Sequence, residues 1–252
     1  ILGTTSVSLN GRIDLLANYD AIGNLAYQAG KNNGPAFLNQ STGTVELGLG
    51  SVTRILPETE SDEKVVGTTL ALSSQINLQG KTIHLDNDAI LLAPSAKVAA
   101  DAGIWFTIPS GNVNTSPIYS FVRVGGRIDL DEGSIIDVSG SMNVLSSVAS
   151  NIVEVQLRGA ELADSPLLRD GVLRGATIFV DVTKTGTYNG RTWVGTPLAD
   201  VSGYANLVQR SVGELTAAGG SVSLNAGEAV VIRQGATVDV SGGSIDYQGA
   251  MV

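Results

Sequence analysis

Few residues in this chain have the types and spacing to do chemistry. The tetrapeptide DVSG occurs at 137–140, 200–203 and 239–242, each copy placing an aspartate two residues before a serine. A recurring aspartate can ligate a metal, share acid–base work, or turn a corner. His84, the only histidine, sits in TIHL, where no strained elbow holds a nucleophile beside it for a Ser-His-Asp arrangement. With one histidine and no cysteine, thiolate and multi-histidine metal sites are excluded. EF-hand spacing and GGxGxD calcium repeats are both missing. Asp129, Asp131 and Glu132 in GGRIDLDEGS read as solvated outward acids.

Cleaving a polysaccharide needs two or three acids stacked on one face. Here they are spread over Asp62/Glu63, Asp86/Asp88, Asp129/Asp131/Glu132, Asp164 and Asp181. The expectation is therefore no catalytic residue, no metal site and no cofactor, and a chain that is not an enzyme. The alternative is a polysaccharide-degrading enzyme or a carbohydrate-binding module on a β-helical frame. Candidate binding residues are the rings Trp105, Tyr119, Tyr188 and Trp193 with Arg191, because amphipathic aromatics suit contact surfaces. The competing reading is that these rings pack insertions onto the frame. A net charge of −9 offers no footprint for nucleic acid or anionic lipid.

The elements that must position these residues follow from an apolar–x–apolar pair that returns every six to eight residues. The pairs are Leu70/Leu72, Ile76/Leu78, Ile83/Leu85, Ile90/Leu92, Val98/Ala100, Val122/Val124, Ile128/Leu130, Ile136/Val138, Val222/Leu224, Val230/Ile232 and Val238/Val240. Both members of a pair face one side of a short strand, and four or five residues remain for a turn. Apolar residues fail to recur at helical spacing, so an amphipathic helix is excluded. Three pairs and three turns take about 20–24 residues, the length of one coil of a parallel β-helix. The fold class is all-β, a parallel β-helix (β-solenoid), with Leu72, Ile83, Leu85, Ile128, Leu130, Ile136, Val138, Val222, Leu224, Val238 and Val240 inside. Val138 and Val240 inward put Asp137 and Asp239 outward, so DVSG is a corner.

The ladder organises 1–158 as shaft, with loop interruptions near 20–40, including a turn at 31–35, and near 104–120. Residues 159–213 form a protruding insertion. TIFVDV is its strand, Asn189-Gly190 its hairpin turn, and 204–215 a short helix capped by Asp200 or Ser202 and ended by Gly219. That helix docks through Leu207, Val208 and Leu215. Residues 214–252 return to coils. No apolar run approaches the roughly 18 residues of a membrane span, and the opening ILGTTSVSLNGRIDL has neither the basic n-region nor the apolar h-region of a signal peptide. It begins in mid-pattern, as an interior slice or an end-to-end stacking unit would.

GKTIHLDNDAILLAPSAKVAADAG and GGSVSLNAGEAVVIRQGATVDVSGG resemble coils of filamentous-haemagglutinin-type exoproteins. LADSPLLRDGVLRGATIFVDV and GTYNGRTWVGTPLADVSGY resemble a segment that interrupts the β-helix in some of these giants. The resemblance covers roughly 67–103 and 125–252. It implies a right-handed β-helix, a secreted or bacterial cell-surface location, and passage through an outer-membrane secretion barrel. It also implies roles in adhesion or in carrying toxin domains. The aromatics add the expectation of a glycan or protein receptor, and the uncapped coils that of end-to-end or lateral self-association. The family's Asn-Pro-Asn secretion motifs do not occur in this chain.

Overall fold

The computed structural model describes residues 1–17, 20–23, 28, 30, 37–40, 43–108, 118–163 and 170–249, with backbone alone at 20–23, 37–40, 106–108 and 118–120. The fold is mostly β, and its frame is three parallel sheets. The first holds Leu2–Thr5, Val52–Pro57, Ile90–Leu92, Ile135–Asp137 and Thr237–Asp239. The second holds Arg12–Leu16, Gln75–Gly80, Lys97–Ala102 and Ser221–Ala226. The third holds Thr44–Leu47, Thr82–Leu85, Arg127–Leu130 and Ala229–Ile232. The chain visits them in that order, circuit after circuit. Where nothing interrupts, Gln75 pairs with Lys97, so one circuit is 22 residues.

Register turns alternation into columns. Ile13, Ile76, Val98 and Val222 align across the second sheet, and Val45, Ile83, Ile128 and Val230 across the third. Ile76, Leu78, Ile83, Leu85, Ile128, Leu130, Ile136 and Val138 are buried in one continuous apolar cluster. Small residues belong to the same cluster, with Ala89, Ala93, Ala96, Ala100 and Ala102 buried.

Several inward assignments need correction. Leu72 is 60% exposed, because 58–74 leaves the frame and only rejoins it at Gln75. Val124 is exposed too, beyond the end of an antiparallel hairpin strand. Ile90/Leu92 is out of phase: the buried set is Ala89, Leu91 and Ala93, with Leu91 in register with Thr53 and Ile136. In AILLA every residue is apolar, so alternation carries no phase. Val222 and Leu224 are half-buried against the core, while Val230, Ile232, Val238 and Val240 are exposed. Val230, Ile232 and Val238 lie on strands that pair on one side only and Val240 directly follows one of them, so among the described residues no further strand stacks on these positions.

The corners stack as the strands do. From third sheet to first, Ser51, Ala89, Ser134 and Ala236 each donate their N–H to a carbonyl three residues back, at 2.9–3.1 Å. The third residue of each turn is left-handed: Gly50, Asp88, Gly133 and Gly235, at φ 63°, 58°, 74° and 86°. Such turns require that conformation there, and glycine meets it without strain. The DVSG corners work through the side chain. Asp137 Oδ1 accepts from Ser139 N at 2.8 Å, and Asp239 Oδ1 from Ser241 N at 2.8 Å.

Four excursions leave the frame at two of its corners. Between second and third sheets lie Asp20–Gly23 paired with Phe37–Gln40, and Ile104–Ile108 paired with Ile118–Val122. The turn expected at 31–35 lies outside the described residues, as does Asp164. Between first and second sheets lie 58–74 and the long stretch that returns at Ser221. These two meet, Lys64–Val66 pairing antiparallel with Gln209–Ser211.

That pairing breaks the helix expected over 204–215. A 3₁₀ segment, Ser202–Leu207, comes first, then the strand, then a single α-turn, Val212–Leu215. The α-turn is capped by Ser211 and Glu214 rather than by Asp200 or Ser202, and it ends before Gly219. Val212 and Leu215 pack with Val7, and Val208 is buried, but Leu207 is exposed and docks nothing.

Val138→Asp is expected to cost several kcal/mol, about 3–5, by burying an unpaired charge, whereas Asp137→Asn keeps the turn's acceptor and should stay within about 0.5. Denaturant titration of both variants checks the contrast. Asp88→Gly should stabilise by about 0.5–1 kcal/mol through relief of the left-handed turn position, measured the same way.

Candidate functional site

The long excursion carries a small apolar cluster of its own. Val155, Leu157, Leu162, Val180 and Val201 are buried together, with Ile178, Ala199 and Tyr204 packed against them. Its frame is the antiparallel pair Ile152–Gln156 with Thr177–Asp181. Beside it stands the hairpin Thr185–Tyr188 with Arg191–Val194, turned by Asn189 and Gly190 at φ 49° and 76°. Two left-handed central residues are what a tight two-residue hairpin turn demands, and Asn-Gly supplies them.

Cross-strand pairing sets which side chains share a face. Gly186 lies opposite Trp193 and Tyr188 opposite Arg191, so all four occupy the same side of the hairpin. A cleft of about 470 Å³ opens there, lined by Tyr188, Arg191, Trp193, Leu198, Glu161 and Asp200 among others. Three of the five expected binding residues therefore meet in one place. Trp105 and Tyr119 do not join them. They belong to the Ile104–Ile108 and Ile118–Val122 hairpin, which contributes nothing to the cleft lining. Trp105 is half-buried, its ring edge-on to Phe121 at 5.7 Å between centroids. The side chain of Tyr119 lies outside the described residues.

Hydrogen bonds fix the cleft's carboxylates. Glu161 Oε1 accepts from the Tyr204 hydroxyl at 2.9 Å and Oε2 from Arg158 N at 3.0 Å. The bond from its own backbone, then those from Tyr204 and Arg158, hold the Glu161 carboxyl below the usual glutamate range. Asp200, in the third DVSG, accepts from Ser202 Oγ at 2.7 Å and Ser202 N at 3.0 Å, both on Oδ1. These bonds lower its pKa as well, the hydroxyl contributing most. Both groups are anions at neutral pH. All three DVSG copies thus make the same aspartate-to-serine turn, and one of them also borders the cleft.

A second cluster lies on the outer face of the third sheet. His84 Nε2 is 3.0 Å from Asp131 Oδ2, and Arg233 Nε donates to Asp131 Oδ1 at 2.6 Å. These bonds, His84 first, hold Asp131 below the usual aspartate range. His84, Asp86 and Asp131 place ligand-type atoms within 4.8 Å of one another. Both oxygens of Asp131 are engaged by side chains, however, and the Arg233 cation sits where a metal would need no competing charge. The cluster is a polar ladder that joins three successive circuits of the chain, with Asp131 bonded to His84 on one side and to Arg233 on the other. Its members are remote in sequence, and only the parallel register brings them together.

Comparison with family models, curated proteins and solved structures gives no match to this chain.

The depressed pKa values set a direction for acid stability. A carboxyl whose folded pKa lies below its unfolded one stabilises the fold above the unfolded value and loses that contribution as pH falls through the folded one. Melting temperature is therefore expected to fall from about pH 4.5 downward. Glu161→Gln should be less stable than the parent at neutral pH and show a shallower acid loss, read by thermal melts across that range.

Proposed function

We propose that the three sheets form successive coils of a right-handed parallel β-helix, and that the chain is a shaft segment of a filamentous-haemagglutinin-like exoprotein. On this reading the protein is secreted through an outer-membrane barrel to the bacterial surface and acts in attachment, with the 159–213 insertion as the contact surface for a glycan or protein receptor. The frame supports the first part: three sheets are visited in fixed order with a 22-residue register. Right-handed crossovers between parallel strands are by far the favoured hand.

The observation that carries the second part is the cleft. The strands of the three sheets hold no Phe, Tyr or Trp, whereas the hairpin gathers Tyr188, Arg191 and Trp193 beside a cavity. Insertions on a rigid scaffold are where binding residues concentrate.

Attachment is favoured over polymer cleavage by the acids themselves. A general acid for glycoside hydrolysis needs a raised pKa, and Glu161 and Asp200 are both lowered. The exposed inward faces of Val230, Ile232, Val238 and Val240 fit end-to-end continuation, by a further coil or by a second copy.

Deleting 181–196 should leave the far-ultraviolet circular dichroism and the main melting transition of the shaft close to those of the parent. The same deletion should reduce attachment of cells displaying the protein. Undiminished attachment, or loss of the β signal, overturns the assignment of the insertion as the contact surface.

A further inference from the structure

From the side chains around the cleft we infer that its ligand is a neutral saccharide, stacked on the indole of Trp193 and hydrogen-bonded by the carboxylates of Glu161 and Asp200. The inference rests on the reading of the insertion as the contact surface and adds the chemical class of what it holds.

The platform is built by a glycine. Gly186 faces Trp193 across the hairpin, and a Cβ there would overlap the six-membered ring, with Cε2 at 2.6 Å. The Cζ2–Nε1 side of the indole therefore sits where a side chain at 186 would be, and only glycine leaves room for the ring beside the cleft it lines. The negative face of an aromatic ring attracts polarised C–H groups, and the C–H face of a pyranose presents several at once. Tyr188, 69% exposed, continues the surface on the same side of the hairpin.

Polar recognition comes from the carboxylates in the same lining. A carboxylate offers about four acceptor sites and no donor, which matches the hydroxyl donors of a sugar. Glu161 and Asp200 are ionised and pre-oriented by Tyr204 and by Ser202, so little ordering remains to be done on binding. The cleft volume of about 470 Å³ lies within the range of small-ligand sites.

Charge decides between sugar classes. Among the described residues the lining holds two carboxylates and one cation, Arg191, on a chain of net charge −9. Sialylated, uronic or sulfated sugars would meet like charge. A neutral saccharide meets none.

The chain has two tryptophans, so Trp105→Phe leaves Trp193 as the sole indole reporter. In that background, lactose, maltose and diacetylchitobiose serve as neutral probes and sialyllactose as the acidic one. A saturable change in tryptophan emission is expected with at least one neutral probe, with sialyllactose binding more weakly. Gly186→Val, which displaces the ring, should weaken the neutral probe about tenfold or more, the scale of losing an aromatic anchor. Tyr188→Ala at the exposed rim repeats the test if Gly186→Val alters the melting curve. Absence of saturation with all three neutral probes overturns the inference. So does a response unchanged in both variants, or tighter binding of sialyllactose. If deletion of 181–196 abolishes attachment while no neutral probe binds, the contact surface stands and the saccharide falls. Sugar binding with attachment unaffected by the deletion has the opposite meaning.

Discussion

Parallel register between one circuit of the chain and the next is the constraint on which the rest of this structure depends. Strands of three to six residues have no stability by themselves. Each becomes stable only when its neighbour supplies the backbone partners and the next layer of apolar side chains. Ile135 N donates to Ala89 O and Thr237 N to Ser134 O, so the corners are locked by the same ladder as the strands. Once Leu85 is aligned with Leu130 and Leu91 with Ile136, a one-residue slip would turn every inward side chain outward.

The excursions respect that ladder. Ile135 and Thr237 lie 102 residues apart in sequence and still pair directly, because the chain leaves at a corner and returns to the same rung. The return points need close backbone approach. Gly126 re-enters before Arg127 and Gly220 before Ser221, and a Cβ at either would collide with the main chain at Ala102 or Ala96. An insertion anchored this way can grow its own apolar cluster, as Val155, Leu157 and Val180 do, without altering the columns on either side. It is free to carry side chains that the repeat would not tolerate.

Legibility in the sequence follows the range of the interactions. Ile83/Leu85, Ile128/Leu130 and Ile136/Val138 were readable because polar residues alternate with them and give the strand a phase. AILLA lost its phase for lack of any polar residue. The supposed helix over 204–215 failed for a long-range reason: Gln209–Ser211 pairs with Lys64–Val66, a partner that no local pattern announces. The candidate site divides in the same way. Tyr188, Arg191 and Trp193 could be grouped because Asn189-Gly190 announces a tight hairpin. Glu161 comes from a stretch of chain remote from Asp200 and Tyr204, and only the packing around Val201 and Leu162 joins the two. Trp105 and Tyr119 share the composition of the other aromatics but leave the frame at a different corner.

The three DVSG copies show how one local interaction can take on different roles. Within the frame, Asp137 and Asp239 lie in register on neighbouring strands, so two like charges stand side by side. Each is held by a serine N–H, and that bond, together with exposure to water, makes the repulsion tolerable. Off the frame, Asp200 has no stacked copy beside it, and its carboxylate is turned by Ser202 at the rim of a cavity. The same four residues therefore make a structural corner where register repeats them and a cleft-lining acid where it does not. Position relative to the ladder, more than residue type, decides what an aspartate can do here.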